Sequence, residues 1–92
     1  MNRNELREAV ATETGLSAAD ADRAITAAFG AISSSLAAGD KVTVSGFGIF
    51  ETRQRAARTG RNPQTGETME IAASTAPAFK PAAALKRLVS EG

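Results

Sequence analysis

"VSGFGIFETRQRAARTGRNPQTGE", Val44–Glu67, changes character twice along its length. Lys41–Ser45 leads into it with alternating polar and apolar residues, the period of a strand. Gly46 and Gly48 bracket Phe47, and glycine inside such a pattern marks a tight turn or a close backbone approach. Ile49–Arg55 restarts a strand. Arg53–Arg61 then holds four arginines and no acid, and Arg58–Glu67 contains no large apolar residue. That part cannot help build a core. Asn62-Pro63-Gln64-Thr65-Gly66 is turn chemistry, and Glu67–Ile71 returns as a strand. The stretch therefore predicts a sheet from which a long polar hairpin projects, covering about residues 53–74.

Working outward, both ends read as helical. Asn2 or Asn4 can cap a first helix running to about Thr14, with Leu6 and Val10 on one face and Gly15 ending it. Ser17 can cap a second helix, with Asp20 three residues on in a box-like arrangement. Ile25, Ala28, Phe29, Ile32 and Leu36 keep helical spacing, and Gly39 ends that helix. Past the hairpin, Pro77–Lys80 reads as short and extended, and Pro81 can open a last helix over Ala82–Val89. The order is α-α-β-β-arm-β-α, an α+β domain over residues 1–92. It has a helical base (1–40), a sheet with the arm (41–81) and a short C-terminal helix (82–92).

Composition narrows the function classes. The 92 residues are 42% apolar, but many of these are alanine. So few large apolar side chains make a lone chain marginal, and association is expected. Cysteine and histidine are absent, which removes disulfides, thiolate metal sites and the commonest general base. No metal, cofactor, small-molecule substrate or enzymatic activity is expected. Glu67 and Glu70 alone do not make a catalytic carboxylate pair. The opening Met1–Glu5 lacks the apolar run of a signal peptide, and no stretch is apolar enough to span a bilayer. These features predict a cytoplasmic protein. Net charge is +1, but it is sorted: residues 1–40 carry three arginines against six acids, and residues 41–92 carry eight basic residues against four acids. Sorted charge points to a directed partner.

The arm supplies the chemistry. Arg53 and Arg55 share a strand face because strand side chains repeat every two residues. An isolated ribbon without an apolar face is barely stable, so it needs something polyanionic to lie against. Duplex DNA offers phosphates for the arginines and a groove for the ribbon. Arginine suits the concentrated negative potential of a minor groove. Pro63 at the tip is rigid and apolar, and can act as a wedge between base pairs. Each feature has an ordinary reading too: a solvated charged face for the arginines, a plain turn for Pro63, surface positions for Lys80 and Lys86. Phe47, Phe50 and Phe79 read as core, since no basic residue separates Phe47 from Phe50 as in a base-stacking platform. A helix-turn-helix in residues 1–38 is disfavoured, because its reading helix would open with Asp20 and Asp22. An arm that docks a protein partner in an assembly stays open.

The quoted stretch, together with "PAFKP" (Pro77–Pro81) and the opening "MNRNELREAVA", resembles the bacterial histone-like HU/IHF family along essentially the whole chain. Insertion of an apolar wedge is the known behaviour of that group itself. The resemblance implies an intertwined dimer with a base of N-terminal helices, an antiparallel sheet forming a saddle, and β-ribbon arms that embrace duplex DNA in the minor groove. By position it implies that Arg53, Arg55, Arg58 and Arg61 touch backbone and groove, flanked at the tip by Asn62 and Gln64, and that Pro63 intercalates. Arg3, Lys41, Lys80 and Lys86 would hold phosphates, and Phe29, Phe47, Phe50 and Phe79 would pack the dimer core. It also implies a nucleoid-associated location. "SGFG" and "FKP" lean towards integration host factor and its sequence preference; "RAARTGRNPQTGE" leans more strongly towards HU, which binds by shape. Ala83 and Ala72 stand where lysine and proline are usual, and Arg3 replaces a lysine with its charge kept.

Overall fold

The computed structural model describes residues 1–92. Its contacts divide the chain into two compact units, Met1–Ser35 and Leu36–Gly92.

The first unit is built from α1 (Arg3–Thr14) and most of α2 (Ala18–Ala37). Asn2 caps α1: its side-chain oxygen accepts a hydrogen bond from the Glu5 amide at 2.9 Å, satisfying a donor that the first helical turn leaves free. Gly15 closes the helix with φ 76°, and its amide donates to the Ala11 carbonyl. Ser17 Oγ accepts from the Asp20 amide at 3.1 Å and starts α2. Ala21 and Ile25 are the buried apolar residues of the chain, both on α2. Arg3 ties the helices together. Its Nη2 lies 3.2 Å from Asp22 Oδ1 and donates to Thr26 Oγ1 at 2.5 Å.

The second unit holds β1 (Val42–Val44), β2 (Gly48–Arg55), β3 (Arg58–Arg61), β4 (Thr68–Ile71), β5 (Ser74–Pro81) and α3 (Ala83–Glu91). The strands form two sheets. One is three-stranded, antiparallel, in the order β1-β2-β5; the other is the two-stranded ribbon β3-β4. Pairing places Arg53 opposite Ala76 and Arg55 opposite Ser74 within the larger sheet. Both arginines therefore sit on that sheet, and the separate ribbon begins at Arg58. Four alanines, Ala56-Ala57 and Ala72-Ala73, mark the break between the sheets. The last strand is also longer than its sequence signals: Ser74–Pro81 is extended throughout, not only Pro77–Lys80. It lies at the sheet edge, where proline's missing N–H is tolerated.

Directly opposed residues share a face, so the register sorts the larger sheet. Val42, Val44, Phe50, Pro77, Phe79 and Pro81 fall on one face; Thr43, Ile49, Glu51, Arg53, Arg55, Ala76 and Lys80 fall on the other. On the apolar side Phe50 and Phe79 have ring centroids 4.9 Å apart, and Phe47 joins them at 5.4 Å from Phe79. Such pairs contribute about 0.5–1.5 kcal/mol each beyond their buried area. The start of α3 is anchored to the β1–β2 turn, since the Ala82 amide donates to the Phe47 carbonyl at 2.8 Å. Large apolar side chains nonetheless stay open to solvent: Phe29 is 51% exposed and Val89 73%, and none is fully buried.

Candidate nucleic-acid interface

The ribbon is a single antiparallel pair, β3 with β4. Its register sets Arg58 opposite Ile71, Gly60 opposite Met69 and Arg61 opposite Thr68. Arg58 and Arg61 thus project from opposite faces. Contrary to the expectation of a ribbon without an apolar face, one face is partly apolar. Met69 and Ile71 share one face, and Ile71 leans over Gly60, where an added β carbon would sit 2.8 Å from Ile71 Cδ1. Partly exposed, these two side chains give the ribbon a small apolar patch.

The tip is closed by hydrogen bonds. The Asn62 amide donates to the Glu67 carbonyl at 2.8 Å, and the Gly66 amide to the Asn62 carbonyl at 2.7 Å. Asn62 Oδ1 accepts from the Gln64 amide at 2.9 Å, bridging over Pro63 as an Asx-turn. Gly66 takes φ +73°, the left-handed region where glycine is favoured. Asn62 therefore holds the loop, and Pro63 and Gln64 stand exposed at its apex. The Asn62 side chain is thus a turn-forming group through Oδ1, and its Nδ2 makes no hydrogen bond within the chain.

The polar face of the larger sheet carries further cations, among them Arg53, Arg55 and Lys80. Glu51 is its centre and is buried at 9% exposure. Its carboxylate lies 3.2 Å from Lys80 Nζ, 3.9 Å from Lys41 Nζ and 3.9 Å from Arg53 Nε. Three cations around one carboxylate leave the cluster positive. Lys86 of α3 lines the same shallow recess as Thr43, Ile49 and Lys80. Arg55, Arg58 and Arg61 form no ion pair, so a run of unpaired guanidinium groups leads from the sheet towards the tip. Arg3 sits in the other unit, where Asp22 and Thr26 engage it. Glu51 is not among the site residues that the sequence predicts. The signal was present as a lone acid two residues before Arg53 and four before Arg55, on the same strand face.

A model of the family described as bacterial DNA-binding protein matches residues 1–90. The chain belongs to this family. Among similar members, the DNA-binding protein HU of Geobacillus stearothermophilus is 60% identical over 89 residues, covering 97% of this chain and 99% of the relative. HU 1 of Bacillus subtilis is 53% identical over 90 residues, 98% of each chain. Among solved structures of the family, an Anabaena HU crystallised with DNA superposes with TM-score 0.95 at 44% identity over 100% of both chains. HU from Thermotoga maritima gives 0.68 at 30% identity, covering 97% of this chain and 98% of that one. The α+β fold, with two N-terminal helices, a sheet bearing a ribbon and a C-terminal helix, is that of the HU structures.

Proposed function

We propose that this chain is a nucleoid-associated architectural protein that binds duplex DNA largely without sequence preference, bending and compacting it. The observation that carries the proposal is the unpaired arginine run Arg55, Arg58 and Arg61, borne on a sheet and a ribbon that end in an exposed proline. The arginines neutralise phosphates and line the minor groove. Pro63 enters between base pairs at the fingertip. Lys41, Arg53, Lys80 and Lys86 hold the backbone along the sheet face, with Arg3 at the flank. Family membership and the DNA-bound Anabaena HU support this reading.

The working unit is a dimer. The exposed Phe29, Leu88 and Val89 and the half-open Phe47–Phe50–Phe79 cluster are the apolar surface that a second copy covers. Binding, not catalysis, is the activity, and the protein acts on the cytoplasmic nucleoid.

The test is affinity for straight, nicked and cruciform duplexes of one length at two ionic strengths. Tighter binding to the nicked and cruciform forms, weakening steeply with salt, is expected. Salt-insensitive binding would favour the reading in which the arm docks a protein. A strong preference for one sequence over others would favour a role like that of integration host factor.

A further inference from the structure

We infer that Glu51 is an internal counter-anion that limits how tightly the sheet face grips the DNA backbone, an inference that rests on the DNA-binding reading above. Glu51 is the buried charged residue of the chain. It lies inside β2, the strand paired on both edges, so its backbone cannot swing it clear of the face. Its opposite neighbour is Ala78, and Ala76 opposes Arg53, so side chains there are too small to cover the carboxylate or offer it a hydrogen bond. Lys80, Lys41 and Arg53 are what compensate it, and each is itself 58–69% exposed.

A phosphate approaching these three cations meets a carboxylate already among them. It gains less Coulomb energy than it would from three free cations, and it displaces fewer counterions from the DNA per cation contacted. The ribbon arginines form no ion pair, and Arg58 shares its face with Met69 and Ile71. Lys41, Arg53 and Lys80 are thus screened by Glu51, whereas Arg55, Arg58 and Arg61 have no ion-paired carboxylate.

The experiment measures affinity and salt dependence for Glu51→Gln on a straight duplex, with thermal melting to establish the fold. The side chains are nearly isosteric, and the charge is removed. Affinity is expected to rise roughly three- to tenfold, and the slope of log K against log salt to steepen by up to about 0.9. A companion measurement leaves Glu51 untouched: Lys80→Met should flatten the slope less than Arg61→Ala, because Lys80 is already partly neutralised. Unchanged or weaker binding by folded Glu51→Gln overturns the inference, as would equal flattening by Lys80→Met and Arg61→Ala. Should Glu51→Gln fail to fold, that second comparison decides alone. Absence of DNA binding by the unaltered chain is a different result, which sinks the underlying reading.

Discussion

Gly48 stands against the ring of Phe79. A β carbon at position 48 would lie 2.5 Å from Phe79 Cε1 and 2.6 Å from the Lys80 carbonyl oxygen. The ring could shift, but the carbonyl belongs to the strand paired with β2 and cannot do so without breaking the pair. Gly48→Ala is therefore expected to lower stability by about 1–3 kcal/mol, the usual cost of overpacking. Denaturant unfolding checks this; a midpoint equal to that of the unaltered chain would contradict the packing described.

Arg58 and Arg61 project from opposite faces of the ribbon and have no acidic partner. Replacing either with alanine should weaken binding on every duplex sequence. Each loss should also flatten the slope of log K against log salt by about 0.9, one phosphate's share. A slope that does not move would remove that arginine from contact with the backbone.

Pro63→Ala separates wedge from turn. The Asn62–Gln64 and Asn62–Glu67 bonds hold the loop without using the proline ring, so the tip should persist. Affinity for nicked or bent duplexes should fall more than affinity for straight ones, since only a kinked duplex accepts the wedge. Equal losses on both would assign Pro63 a conformational role alone.

The first two helices were legible because their signals are local, whereas Pro81, read as opening the last helix, ends β5 and α3 starts at Ala83. Asn2, Gly15, Ser17 and Gly39 each act on a backbone group within four residues. The tip motif was legible for the same reason. The length of β5 was not: Pro77–Lys80 read as extended, but nothing in Ser74, Thr75 and Ala76 separates them from the arm. Only their place at the sheet edge, fixed by pairing with β2, makes them extended. The break at Ala56-Ala57 and Ala72-Ala73 has no side-chain signal at all. The Glu51 cluster needs Lys80, which is 29 residues away and reaches the carboxylate only through the Ile49–Lys80 register. What depends on local chemistry could be read from the chain; what depends on which strands pair could not.

Association has a thermodynamic signature. If a second copy covers Phe29 and the aromatic cluster, the melting temperature must rise with protein concentration. Sedimentation at micromolar concentration should give the mass of two chains. Phe29→Asp would place a charge in the contact and shift the equilibrium towards unfolded monomer. A stable folded monomer with a concentration-independent melting temperature would contradict the dimer.

The central claim is that the ribbon grips and distorts duplex DNA. Its most direct test replaces Arg58–Ile71 by a short glycine turn and compares both proteins on a nicked duplex across a salt series. The three-stranded sheet does not share strands with the ribbon, so it should survive the excision. The account predicts a much weaker complex, a flatter salt dependence and no remaining preference for nicked over straight DNA. Undiminished affinity with the nicked-duplex preference intact would contradict it.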